Sequence, residues 1–373
     1  MRIGVPKEIK NHEYRIGLTP ATVRELVTRG HEVFVETDAG LSIGLDNATY
    51  EAAGASILAS ARDVFDTAEM IVKVKEPQAV ERAMLRPEQT LFTYLHLAPD
   101  PDQTRDLVES AASCIAYETV TDDHGSLPLL APMSEVAGRL SIQAGAWCLE
   151  KAHGGAGVLL GGVPGVASAK VVIIGGGVVG FNAAQMAVGM GANVVILDRS
   201  LEVLRRFDAL FDSRIETIYS DIESIDKYVS NADLVIGAVL IPGAAAPKLV
   251  TRAHLKKMRT GSVVVDVAID QGGCFETSKA TTHQDPIYTV DGVVHYCVAN
   301  MPGAVARTST FALNNATQSF VLRLADKGPR QAMLEDQHLL NGLNVHRGMV
   351  TCEEVAEDLG YEFVAPATAL ETD

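Results

Sequence analysis

An apolar run, Val171 to Ile174, leads directly into Gly175-Gly176-Gly177-Val178-Val179-Gly180. A helix-like run, Val178 to Met190, follows, and a second apolar run from Asn193 ends on Asp198. Strand, glycine turn, helix, strand and acid form the order of a dinucleotide-binding βαβ unit, with Gly175, Gly177 and Gly180 satisfying G-x-G-x-x-G. Each part has a physical task. Gly175 permits the tight turn, Gly177 lets the backbone approach a pyrophosphate, and Gly180 lets the helix pack close to the strand. The free N–H groups and the dipole at the helix start favour phosphate there. Asp198 can accept hydrogen bonds from both ribose hydroxyls and would repel a 2′-phosphate, which favours NAD over NADP. Arg199 beside it weakens that preference.

The rest of the chain bounds what such a unit can belong to. With 373 residues there is room for about two domains. Hydrophobic residues make up 47%, enough for large cores. The net charge of −16 argues against nucleic acid or an anionic membrane surface as partner, while leaving room for a local basic pocket. Five scattered cysteines form no C-x-x-C, and no Cys/His spacing suggests zinc, so no metal site is expected. A reduced, cytoplasmic setting is therefore expected. The opening Met1-Arg-Ile-Gly-Val-Pro6 has no signal-peptide core. The most apolar long region, Gly154 to Ala169, is too rich in glycine and proline for a transmembrane helix.

The pattern predicts an α/β protein with two doubly wound, Rossmann-like domains separated by a cleft. In the first region strands are expected at Arg2–Val5, His31–Glu36, Met70–Val74, Leu91–Leu95 and Cys114–Tyr117. Thr19-Pro20 reads as a capped helix start, with Gly30 as the stop. A long helix is expected over Ser134–Ala152. The nucleotide domain then continues with strands at 171–174, 194–197, about 215–219, 234–239, 262–267 and 294–298. Thr308–Ala325 reads as one helix, and the remainder lacks a sheet of its own. The domains are accordingly 1–130 plus 306–373 for substrate, and 131–305 for NAD.

A dehydrogenase also needs a substrate anchor and a proton-transfer group. Arg15 follows a turn-like stretch, Lys75 ends Ile71-Val-Lys-Val-Lys75, and His96 ends Phe92-Thr-Tyr-Leu-His96. Ligands of open α/β sheets sit beyond the carboxyl ends of strands. Two cations there can hold a small carboxylate, with Arg15 suited to a bidentate grip. Each residue type is more often simply solvated at such a position. On composition alone His12, His124, His153 and His283 could serve as well as His96. In the second region Val263–Asp266 runs into Asp270-Gln-Gly-Gly273, which puts Asp270 near the nucleotide crevice. Asn300 closes the last strand and could bond substrate or cofactor, or shape a turn.

These stretches, from Met1-Arg-Ile-Gly-Val-Pro-Lys-Glu-Ile-Lys-Asn-His-Glu-Tyr-Arg15 through Val74-Lys-Glu-Pro77 and Tyr94-Leu-His-Leu-Ala-Pro99, resemble the bacterial alanine dehydrogenase family. So do Pro132-Met-Ser-Glu-Val-Ala-Gly-Arg139, Gly161–Val166, Asp266–Gly273 and Ala299-Asn-Met-Pro-Gly303. The resemblance spans the whole chain. It implies NAD-dependent interconversion of L-alanine with pyruvate and ammonium in a cytoplasmic homohexamer. It implies Arg15, Lys75 and Asn300 as substrate-binding residues, with His96 and Asp270 as the catalytic pair. Ser134, Gly175, Gly177, Val178, Val179, Gly180, Asp198, Ser220, Val239, Leu240, Val267, Asp270, Asn300 and Met301 would line the cofactor. One position departs from the pattern. Val203 stands where the family often has a basic residue near the adenosine ribose, and Arg205 or Arg206 could replace that contact. The NAD-binding component of a proton-translocating transhydrogenase, saccharopine- or lysine-forming dehydrogenases, and a non-catalytic NAD sensor share parts of this plan. None of these alternatives accounts for Arg15, Lys75 and His96 together as well.

Overall fold

The computed structural model describes residues 1–239 and 247–371, which form two compact units, Met1–Pro132 with Val305 onward, and Met133–Ala304. In the first unit the strands are β1 (Arg2–Val5), β2 (Glu32–Glu36), β3 (Ser56–Leu58), β4 (Met70–Val72), β5 (Thr90–Thr93) and β6 (Ser113–Ala116). The second unit contains β7 (Lys170–Ile174), β8 (Asn193–Asp198), β9 (Ile215–Tyr219), β10 (Leu234–Gly237), β11 (Val263–Asp266), β12 (Ile287–Val290) and β13 (Val293–Tyr296). The returning chain adds β14 (Leu343–His346) and β15 (Met349–Val350) to the first sheet.

Both sheets are doubly wound. The first runs β15-β14-β6-β5-β4-β1-β2-β3, parallel from β3 to β6, with β14 and β15 added antiparallel. The second runs β12-β13-β11-β10-β7-β8-β9, parallel except for β12. In each, the first strand of the unit lies centrally and the chain reverses its direction of winding beside it. The crevices at the strand carboxyl ends therefore open between β1 and β4 and between β7 and β10, where such sheets bind ligands.

Burial on both faces explains why the central strands read as unbroken apolar runs. Every residue of β10 and β11 is buried, as expected of parallel strands covered by helices on either side. In the second unit Val172, Ile174, Val195, Leu197, Val235, Val264 and Phe275 share one core. In the first, Phe65, Ile71, Leu91, Leu107, Cys114 and Val345 do the same. Each such side chain contributes about 1.5–3 kcal/mol on burial.

Several elements differ from the sequence expectation. β3, β12, β14 and β15 were not anticipated, because each is short and three carry polar residues within the run. β14 and β15 are joined through Arg347 and Gly348, both with positive φ, the geometry of a tight hairpin. Thr19 does stand before the helix Pro20–Thr28 but makes no side-chain cap. Its backbone N–H instead donates to Asn314 Oδ1 at 2.6 Å. The long helices run Ala131–Cys148 and Ala306–Lys327. Among the described residues no helix is long and apolar enough to cross a membrane. The cysteines are unpaired; burial pushes the Cys114 thiol up to about 12, so it is an inert core group.

Candidate active site

In the first unit three loops leave neighbouring strands at the carboxyl edge. Arg15 follows β1, Lys75 follows β4 and His96 follows β5. Lys75 and His96 do not end their strands as the sequence suggested. β4 stops at Val72 and β5 at Thr93, so each residue lies three positions beyond. The apolar pattern continues past the strand ends because both segments stay buried until Val74 and Leu95, with the Lys73 N–H donating to the Phe92 carbonyl and the Tyr94 N–H to that of Val74.

Arg15 is not a solvated surface arginine, being only 2% exposed. Its Nε donates to Glu13 Oε1 at 2.7 Å and its Nη2 to Glu13 Oε2 at 2.5 Å. Burial opposes its charge, but the bonds and charge of Glu13 more than offset this and its pKa is raised. The bidentate edge expected for substrate is thus engaged by Glu13, so a carboxylate ligand would meet a guanidinium already oriented by an internal partner.

His96 adopts a left-handed backbone, φ 51°, a conformation that costs a non-glycine residue roughly 1–3 kcal/mol and persists only where surroundings enforce it. Glu118 enforces it here. Its carboxylate accepts the N–H of Leu95 at 3.1 Å and of His96 at 2.5 Å. The same Glu118 oxygen lies 3.7 Å from His96 Nδ1. On the other side the His96 ring stacks on Tyr94, centroids 5.8 Å apart and 3° from parallel. Tyr94 is anchored through its hydroxyl, which donates to the Leu129 carbonyl at 2.5 Å. The outcome is an exposed imidazole on a fixed mount. Of the competing histidines, His12 bonds the Tyr14 hydroxyl in the Arg15 loop, His153 bonds the Trp147 carbonyl, and His283 Nε2 donates to the Asn300 carbonyl at 3.0 Å.

In the second unit the residues assigned to the cofactor lie at successive strand ends. The glycine turn follows β7, Asp198 ends β8, Ser220 follows β9, Val239 lies two residues past β10, and Val267 follows β11. Leu240 lies outside the described residues. Gly175 has φ 101°, which a side chain rarely tolerates. Gly180 is tighter still, since an added Cβ would stand 1.8 Å from the Gly175 carbonyl oxygen. We expect Gly180→Ala to abolish measurable NADH binding, because only backbone could give way; fluorescence titration checks this.

The fit to a dinucleotide rests on the front of this turn. Among the described residues, a Cβ at Gly177 would meet nothing within 4 Å. The helix Val178–Gly189 has no side-chain cap at Gly177, so its first N–H groups face a space that suits phosphate. Asp198 accepts the Gly176 N–H at 2.6 Å and the Ser200 N–H at 2.7 Å. A carboxylate offers about four lone-pair sites, which leaves capacity for ribose hydroxyls. Val203 packs on Gly176, and Arg206 donates to the Gly176 carbonyl at 3.1 Å while its guanidinium lies over Phe181. Arg206 therefore braces the turn, while both it and Arg205 remain exposed.

The helix Ala131–Cys148 crosses Val178–Gly189 at Gly138, where an added Cβ would lie 2.3 Å from the Val179 carbonyl. Arg139 follows with bonds to Asn182 and Gln185. Ser134 lies one turn earlier than Gly138 on the same helix. Asp270 lies on a short 3-10 turn, exposed, and Asn300 has φ 60° just before the buried Met301. The loop bearing Asp270 is organised by Asp266, whose buried carboxylate accepts from the N–H groups of Ala268 and Phe275, the Cys274 thiol and the Ser278 hydroxyl.

Sequence reasoning missed Glu13, Glu118 and Asp266. Asp266 had one available signal, an acid at the end of an otherwise apolar strand.

The comparisons with known proteins bear on the family and the fold. Residues 4–137 match the model for the alanine dehydrogenase/PNT N-terminal domain and residues 141–353 that for the C-terminal domain. The alanine dehydrogenase of Halomonas elongata is 60% identical over 370 residues, 99% of this chain and 100% of that one. A solved L-alanine dehydrogenase superposes with a TM-score of 0.94 at 53% identity, covering 96% of this chain and 99% of its own. A transhydrogenase from Sinorhizobium meliloti shares the fold, with a TM-score of 0.81 at 24% identity over 95% of this chain and 99% of that one. The chain belongs to the alanine dehydrogenase/PNT family.

Proposed function

We propose that this protein is an NAD-dependent alanine dehydrogenase. It converts L-alanine, water and NAD⁺ to pyruvate, ammonium, NADH and a proton, and runs the reverse reductive amination. The observation that carries this reading is the full-length relation to alanine dehydrogenases. The placement of Arg15, Lys75 and His96 on adjacent loops at one sheet edge supports it. The likeness to a transhydrogenase is one of fold, and an NAD sensor would need neither the two cations nor the mounted imidazole.

The residues of the chain divide the work. Gly175, Gly177 and Gly180 would admit the pyrophosphate to the helix start, and Asp198 would take the ribose hydroxyls. Ser134, Val178, Val179, Ser220, Val239, Val267 and Met301 would line the remainder. When bound, NAD supplies the acceptor for the hydride on the alanine Cα. Arg15 and Lys75 would hold the carboxylate, and Lys75 would polarise the keto or imino group. His96 would take the proton from the water that attacks the imine carbon, acting as general base. Asp270 would share in proton transfer, and Asn300 would orient substrate or cofactor. We further infer a cytoplasmic homohexamer; exposed Leu159, Val163 and Val166 on the 154–169 segment support self-association.

The test follows NADH absorbance with pyruvate and ammonium, then with L-alanine and NAD⁺. Turnover is expected in both directions and with NAD in preference to NADP. A methyl side chain offers little binding energy, so 2-oxobutyrate should be used about 10–200-fold less efficiently. No turnover by a protein that still binds NADH would overturn the assignment.

A further inference from the structure

Behind Lys75 lies a charged cluster that the reaction does not use. Lys73 is fully buried. Its Nζ donates to Glu81 Oε1 at 2.7 Å and to Glu8 Oε2 at 3.1 Å. Glu81 is fixed in turn, because its second oxygen accepts the Gln78 N–H at 2.7 Å and caps the turn Ala79–Arg82. Glu8 is buried as well, and its second oxygen faces the main chain. Oε1 accepts the N–H of Val74 at 2.7 Å and that of Lys75 at 3.3 Å. From the far side, the Tyr117 hydroxyl donates to the Lys73 carbonyl at 2.9 Å. Three consecutive residues beyond β4 are thus held by side chains from three other places in the chain.

Stability is a poor reason for such a cluster. Two carboxylates and one ammonium carry a net negative charge into the core, and well-packed apolar residues often replace buried ion pairs without loss. A hydrocarbon could fill the space, but it could not accept two successive backbone N–H groups. Those two groups belong to the bend that turns Lys75 out of the strand line. Without an acceptor they would be left in the core unpaired, at about 1–3 kcal/mol each. The Lys75 ammonium itself lies 3.7 Å from Glu76, whose other oxygen is taken by Lys10. Head and backbone of this one lysine are therefore oriented separately.

We propose that Glu8, locked by Lys73 and Glu81, is a positioning residue that sets the direction of Lys75 toward the substrate. This rests on the reading of Lys75 as a substrate anchor. Glu8 would touch neither substrate nor cofactor. Its effect would be felt in pyruvate binding and not in NADH binding, which belongs to the other unit. Glu8→Gln keeps the shape but has a single acceptor oxygen. Whichever way its amide turns, either the two backbone N–H groups lose their acceptor or Lys73 loses one of its two.

The experiment compares steady-state kinetics of the full-length wild type, Glu8→Gln, Lys75→Met and the double variant, with NADH affinity from fluorescence titration. Glu8→Gln is expected to raise KM for pyruvate about 10- to 100-fold, the scale of a roughly 1 Å misplacement, with NADH affinity within about twofold. Phe65→Leu, a core change in the same unit, controls for lost stability and should lower Tm without changing KM. In the Lys75→Met background, Glu8→Gln should add little, since residues acting through one another are non-additive. If Lys75→Met raises KM but Glu8→Gln does not, or if Glu8→Gln keeps its full effect without Lys75, the positioning role is wrong while the anchor stands. If Lys75→Met leaves KM unchanged, the anchor reading fails and takes this proposal with it. Glu8→Asp, which keeps the charge but withdraws the carboxylate from the bend, carries the same comparison if Glu8→Gln is not recovered folded.

Discussion

Replacing His96 with alanine should lower kcat for pyruvate amination by about 10²–10⁴-fold, the usual worth of a positioned general acid or base. NADH affinity should stay unchanged, because the glycine turn and Asp198 lie in the other unit. The expectation comes from how the ring is mounted. The left-handed backbone at φ 51° is an expense with little burial in return, since the imidazole is exposed. Glu118 holds the two N–H groups that fix it, and Tyr94 supports the ring face. Glycine accepts such a backbone without strain. His96→Gly should therefore match or exceed the wild type in Tm while losing the same activity. Stopped-assay kinetics and thermal melts of both variants decide the matter, and near-normal turnover in either would remove His96 from the mechanism.

Arg15→Ala should be costly in a second way, affecting both folding and substrate binding. The guanidinium and Glu13 are buried together. Removing one partner leaves an uncompensated charge, a loss of about 3–5 kcal/mol. Removing both should restore much of that stability, so Glu13→Gln with Arg15→Met is expected to unfold near the wild-type urea midpoint. It should not restore saturation by pyruvate, because the cation proposed to hold the carboxylate is gone. Arg15→Lys retains a charge but not the fork that grips Glu13, and it should fall between the two. Urea melts alongside pyruvate saturation curves separate the structural share of Arg15 from its binding share. A double variant that bound pyruvate normally would show that Arg15 serves the fold alone.

What could be read beforehand follows a pattern of distance along the chain. The cofactor turn was legible because its constraints are local: Gly175 needs a positive φ and Gly180 leaves no room for a Cβ beside the Gly175 carbonyl. Arg15, Lys75 and His96 were legible as residue types near strand ends, but as candidates among several. His283 looked equally suited, and only the fold shows it bonding the Asn300 backbone. Strand ends were misplaced where buried backbone runs on past the regular ladder, as at Lys73 and Val74, which still make backbone hydrogen bonds to the Phe92–Tyr94 segment.

By itself the sequence determined an α/β chain with two parallel-sheet units, a glycine turn at Gly175–Gly180 of the form that dinucleotide sites use, and an acid at Asp198 closing the next strand. These follow from backbone sterics and apolar runs within some thirty consecutive residues, so tertiary context is not required to read them. The tertiary structure alone decided which groups are aimed. Glu118 reaches His96 across 22 positions and Glu8 reaches Val74 across 66. Arg15 is only two residues from Glu13, yet their pairing depends on both being sealed in the core. A carboxylate in a sequence carries no sign of the N–H or cation it will face. That partner is fixed only when strand order brings the loop ends together and burial makes an unpaired polar group too costly to leave.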